Sequence, residues 1–335
     1  VTDLMERRLA RATTVDERRR LLLQAGRLLH ASHRLPEAAR CYEALLRLDP
    51  DSPVSLRALR VIRQDLGQHN EATALAAREG LAAQHPANAS ALLLEVGRNH
   101  EQDPKASRRA LEAYLEALTR DPADSEAAAA VRRICERGLH WKELAGALEG
   151  RAQGMPGRRA SFLLEAAELY ANRLDLADEA RRCLSGLDIE TLPTEAIHRG
   201  AQLCVDLEDW DRAGRWYERL EGIVQEAGLR GAIVLRLAAI YWEKLDNAEL
   251  ARHWLFRLVE DQPTHAVALA RLAELEMVRG DSTAARVALA RAVNAEERPL
   301  ERARYRLRLA ELDRQEDRLD VAAKGLVSAL AEAPD

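Results

Sequence analysis

An alanine followed four residues later by Tyr or Leu, seven later by Leu or Ala, and twelve later by Pro recurs down this chain. The copies are Ala38, Tyr42, Leu45, Pro50; Ala110, Tyr114, Ala117, Pro122; Ala251, Leu255, Leu258, Pro263; and Ala322, Leu326, Ala329, Pro334. Four copies in one register mark a repeat protein. A unit this short cannot bury its apolar face alone, so neighbours must stack. The core of the 335-residue chain is then a line of small contacts rather than one ball, and a domain count has little meaning.

The stretch "RRLLLQAGRLLHASHRLPEAARCYEALLRLDP" shows what one unit is. Leu22, Ala25, Gly26 and Leu29 fall at i, i+3, i+4 and i+7, one face of a helix. A break follows near Arg34–Leu35. Pro36 suits the first turn of a second helix, where its missing N–H costs nothing. Ala38, Tyr42 and Leu45 form the apolar stripe of that helix, and Asp49–Pro50 ends it, because Pro disfavours a helical residue before it. Gly26 and Ala38 predict close approach of two antiparallel helices, with Tyr42 filling space against the next unit. The closing prolines Pro86 and Pro122 keep a 36-residue period. Later units turn at Gly138–Leu139 and Gly280–Asp281. The reading gives nine hairpins: 18–50, 51–86, 87–122, 123–155, 156–192, 193–228, 229–263, 264–299 and 300–335. Before them, Leu4, Met5, Leu9 and Ala12 are spaced as the stripe of a partial helix within 1–17, and Thr14 and Glu17 are spaced as a capping box.

This pattern resembles the tetratricopeptide repeat family over about residues 18–335. The period, the small residues on both helices and the closing Pro carry the resemblance. Several units exceed the family's length of about 34 residues. The fourth and sixth lack the closing Asp-Pro, and the usual Trp near the start of the first helix is absent. The resemblance implies an all-α solenoid of antiparallel hairpins, wound as a right-handed superhelix. First helices would line a concave groove and second helices the outside.

Composition limits the function classes. Charge is high at 31% but nearly balanced, with a net of −5. A dedicated nucleic-acid binder needs a clustered basic excess instead. Leu, Ala, Arg and Glu dominate, as helices require. Cys41, Cys135, Cys183 and Cys204 lie far apart and form no C-x-x-C pair, so they read as buried helix residues in a reducing, cytoplasmic setting. Arg236 interrupts the most hydrophobic stretch, so no apolar run reaches a membrane span. The first residue is Val1, which reads as a processed or partial chain.

Catalytic signatures are missing: there is no H-E-x-x-H, Walker A, G-x-S-x-G or G-x-G-x-x-G string. His30 and His33, at i, i+3 near a helix end, lack a third metal ligand and read as solvated residues favoured by the helix dipole. Asn88-Ala89-Ser90 is a glycosylation sequon by pattern alone. Glu37 and Arg40 stand for the many solvated charge pairs. The segment is therefore expected to have no enzymatic activity, metal or cofactor of its own.

Binding is expected on the stripe of each first helix beside its packing face. The candidates are Arg20, Arg27, Arg57, Arg98 and Arg133 toward the start, and Leu235, Trp242, Val267 and Met277 further on. Arg pairs carboxylates through two hydrogen bonds, and an apolar stretch takes the apolar face of a helix. The expected function is a protein-interaction scaffold for a peptide or partner helix, without nucleic acid or membrane insertion. A second reading is the regulatory or substrate-docking arm of an enzyme whose catalytic domain lies outside this segment. A third is a spacer or self-assembling element. The two terminal flanks, at Leu4–Ala12 and at Leu326, Ala329 and Leu330, are expected to be the most exposed apolar surfaces. Flanking sequence or a neighbouring copy would cover them.

Overall fold

The computed structural model describes residue 8 and residues 12–332. Among these there are eighteen α-helices and no strand. The chain divides into two compact units, Val1–Gly186 and Leu187–Asp335. The sequence carries no signal for this division.

The first unit holds five hairpins. They are α1 (Val15–Ala31) with α2 (Leu35–Leu48), α3 (Pro53–Asp65) with α4 (His69–Ala82), and α5 (Pro86–Glu101) with α6 (Ser107–Arg120). Then come α7 (Ser125–Gly138) with α8 (Trp141–Gly154), and α9 (Arg159–Asn172) with α10 (Ala177–Ser185). The second unit holds four. They are α11 (Thr194–Asp206) with α12 (Trp210–Ile223), and α13 (Ala227–Ala239) with α14 (Ala248–Asp261). Two more follow: α15 (Ala266–Val278) with α16 (Ser282–Ala295), and α17 (Pro299–Gln315) with α18 (Leu319–Glu332). Within each unit a helix packs mainly on its chain neighbours. In the fourth hairpin α8 packs chiefly on α9 and along only a short stretch of α7.

The repeated alanine explains the helix pairing. Ala38, Ala110 and Ala251 are fully buried. Gly26 faces Tyr42 so closely that a β-carbon there would lie 2.9 Å from the ring. At Gly97 and Tyr114 the figure is 2.4 Å, and at Gly200 and Trp216 it is 1.9 Å. A small residue on the first helix thus receives an aromatic ring from the second helix of the same hairpin. Tyr42 therefore packs against its own hairpin as well as joining Leu56, Leu59 and Ile62 of the next one.

Helix ends follow local chemistry. The Thr14 hydroxyl accepts the Glu17 N–H, while the Glu17 carboxylate accepts from Thr13 N–H rather than closing the box on Thr14. Ala12 is not helical, and Leu4, Met5 and Leu9 lie outside the described residues, as does Pro334. Eight turns pass through a residue in the left-handed region. Two of these residues are glycines, Gly67 and Gly280, and the others are His33, Leu139, Asp175, Glu208, Asp246 and Asp317. Asp and its relatives tolerate that conformation better than most residues, but Leu139 does not.

Candidate interaction surface

The predicted stripe of the first unit is exposed, and most of its charges are already engaged. Arg98 on α5 pairs with Glu126 on α7. Arg133 on α7 reaches back to Glu101 on α5 at 2.6 Å. Tyr114 of α6 donates to the same Glu101 at 2.8 Å. Burial pushes the Glu101 carboxyl up, yet the hydrogen bonds from Arg133 and Tyr114 outweigh it and hold the group below its ordinary value. Arg57 shares the buried Glu79 with Arg60, at 3.0 and 2.8 Å. Arg20 and Arg27, both exposed on α1, make no ion pair among the described residues. Of the five arginines read from sequence, three belong to ion pairs within the unit, and Arg20 and Arg27 are exposed with no ion pair among the described residues.

In the second unit the stripe changes character. Leu235, Trp242 and Val267 are half-buried and Met277 is exposed. Leu300 and Leu307 of α17 are exposed as well. The nearby charges are paired among themselves: Arg271 with Glu274 at 3.1 Å and with Glu243 at 3.9 Å, and Arg308 with Glu274.

Trp242 sits in a π turn, Ile240–Lys244, where the Leu245 N–H donates to the Ile240 carbonyl at 3.1 Å. A π turn absorbs one extra residue in a helix. In the hairpins that turn at His33, Leu139 and Gly280, the last buried residue lies four before the turn, namely Leu29, Cys135 and Glu276, whereas Tyr170 lies five before Asp175. Here Tyr241 lies five before Asp246. The extra residue keeps Tyr241 in the core column, where its hydroxyl donates to Glu218 at 2.8 Å, and leaves Trp242 on the outer stripe.

Sequence reasoning missed several features because they join residues far apart in the chain. Glu79, Glu221 and Glu276 are buried acids, each held by two arginines. An unpaired buried carboxylate would be costly, so each needs its cations. Arginines also bind the carbonyls of closing prolines: Arg78 to Pro50 at 2.6 Å, Arg151 to Pro122 at 2.9 Å and Arg291 to Pro263 at 3.2 Å. A polar cleft of about 720 Å³ lies between α4 and the α5–α6 hairpin, lined by His69, Asn70, Asn99 and Arg109 among others. Glu37 pairs with Arg34 at 2.8 Å rather than with Arg40.

Cys135, Cys183 and Cys204 are buried, while Cys41 is half-buried. Burial pushes the Cys204 thiol up to about 12. His33 is a left-handed turn residue. Among the described residues no group of three or more His, Cys, Asp or Glu could hold a metal ion, and no helix is long and apolar enough to cross a membrane.

No protein-family model matches the chain. No curated protein matches it either. Solved structures do. A crystal structure of MamA protein is 15% identical, covers 52% of this chain and 92% of that one, and gives a TM-score of 0.41. BtubC from P. vanneervenii is 19% identical over 70% of this chain and 90% of that one, with a TM-score of 0.36. Yeast Tom70 is 14% identical over 91% of this chain and 61% of that one, with a TM-score of 0.35.

Proposed function

We propose that this chain is a tetratricopeptide-like, non-catalytic scaffold for protein interaction. The outward stripes of its first helices are the working surface, and the partner is a peptide or an amphipathic helix. One observation carries the reading. Trp242 and Met277 stand at the surface of the second unit while the charged groups beside them are already paired with one another. What that region offers a partner is apolar contact, and a partly exposed Trp together with an exposed, flexible Met has the composition of a binding hot spot. In the first unit, the exposed Arg20 and Arg27 of α1 offer guanidinium groups to carboxylates.

The test is affinity isolation with the full chain followed by mass spectrometry, repeated with Trp242→Ala and with Arg20→Glu/Arg27→Glu. The expected result is a protein enriched by the parent chain and depleted at least tenfold by one of the variants, with helicity unchanged. A partner retained fully by both variants moves the interface away from the first helices.

A further inference from the structure

The outward face of α4 lacks the bulk that other second helices carry. Counted from the first residue of each helix, the sixth and ninth positions are Arg40 and Glu43 in α2, Glu112 and Leu115 in α6, and His253 and Phe256 in α14. In α4 both are alanines, Ala74 and Ala77. The polar cleft of about 720 Å³ opens over these two residues. That volume falls within the range of about 300–1,000 Å³ found for specific sites. Most of its lining comes from α4 and from the turn and second helix of the α5–α6 hairpin. The cleft is therefore separate from the stripes that carry Arg20, Arg27 and Trp242.

The polar groups around it fall into two sets. One set is fixed by partners within the unit. Asn99 donates to the Thr73 hydroxyl at 3.1 Å, and Gln64 donates to Glu95 at 3.2 Å, which holds each amide in place with its oxygen left to accept. Glu95 also pairs with Arg60 at 3.7 Å, and Asp103 accepts the Lys105 N–H at 2.9 Å. The other set is unengaged. Asn70, Gln102 and Arg109 are exposed, and their side chains make no hydrogen bond or ion pair among the described residues. Both acids of the lining thus have partners, and the arginine that lines it has none among the described residues.

We infer that this cleft binds an extended segment of another protein that carries a carboxylate side chain. A peptide group offers one donor and one acceptor, and a carboxamide answers both. Asn70, Asn99, Gln64 and Gln102 can therefore pair with main-chain groups of an extended segment, and the alanines leave room for that main chain to come close. Arg109 supplies the parallel donors that a carboxylate accepts. A helix fits poorly, because its main-chain groups are already bonded to one another.

The probe is a random dodecapeptide library displayed on phage and selected on the full chain. Peptides recovered by the parent chain, and not by Ala74→Trp/Ala77→Trp, are expected to carry Asp or Glu. The most enriched peptide is synthesised and titrated by calorimetry. Its affinity should fall at least tenfold for Arg109→Glu and for Asn70→Ala/Gln102→Ala. Trp242→Ala and Arg20→Glu/Arg27→Glu should leave it unchanged, which separates this result from the first-helix reading. Replacing the acid of the peptide by Lys should weaken binding to the parent chain and restore it to Arg109→Glu. Ala74 and Arg109 are exposed and Ala77 is half-buried, and circular dichroism checks that every variant stays helical. Recovery of the same peptides by the filled variant, enrichment without acidic residues, or full binding by Arg109→Glu overturns the inference. So does a selection that yields no peptide binding more tightly than millimolar.

Discussion

The two units share one packing rule and use their outward positions differently. In the first unit the stripe beside the core is largely consumed by ion pairs between hairpins, as with Arg98–Glu126 and Arg133–Glu101. In the second unit the same stripe carries Trp242 and Met277, and ion pairs surround rather than occupy it. A helical hairpin fixes its inward residues by packing and leaves the outward ones to serve other ends. Charge placed there in the first unit ties neighbouring hairpins together. Apolar surface placed there in the second unit stays partly uncovered among the described residues.

The largest effect should come from the rule the units share. Ala110→Trp in the first unit and Gly200→Leu in the second each insert bulk into a closed helix contact. Overpacking of this kind costs about 3 kcal/mol or more where neither backbone can yield. Urea unfolding should show both variants severely destabilised. An unchanged melting temperature for either one would mean that its unit does not follow the common register.

Acid should separate the units next. Arg182 and Tyr170 bind Glu149, and these bonds outweigh burial to hold its carboxyl low. Glu101 is also depressed, as described. A depressed carboxylate contributes stability above its unfolded value, near pH 4.3, and loses it as pH falls through the folded value. Helices α5 to α10, which carry both acids, should therefore lose hydrogen-exchange protection at higher pH than α13 and α14. Simultaneous loss would erase the electrostatic half of the comparison.

A double-mutant cycle sharpens it further. Coupling between Arg133→Ala and Glu101→Gln should be about 0.5–1 kcal/mol, as for a partly exposed pair. Trp242→Ala should cost less stability than a core truncation and act mainly on binding. If Trp242→Ala destabilises as much as a buried aromatic truncation, about 3–5 kcal/mol, the residue is part of the core.

The smallest effect concerns the thiols. Iodoacetamide at pH 8 should modify Cys41 ahead of Cys135, Cys183 and Cys204, whose burial raises them to about 11, about 11 and about 12. Mass spectrometry reads the order directly. Early labelling of Cys204 would show that the second unit opens more readily than the first.

The sequence by itself determined the hairpins. Helical periodicity and the small-to-large spacing of residues such as Gly26, Ala38 and Tyr42 are local, and local patterns act through neighbours three or four residues away. It also marked Trp242 and Met277 as outward residues, since the stripe positions follow from the same period. What only the tertiary structure decided lies in contacts between residues about 20 to 35 apart. Whether Arg133 is free or bound depends on how α7 stacks against α5, and no run of residues around Arg133 encodes the distance to Glu101. The same holds for the buried Glu79, Glu221 and Glu276, which read as solvated until their arginines close over them. The π turn needed the structure too. An extra residue can widen a helix or lengthen a loop, and only the packing of Tyr241 against the preceding hairpin selected the first. Exposure of Leu326 and Leu330 was decided in the same way: their side chains match the buried ones, and the absence of a covering helix among the described residues sets them apart.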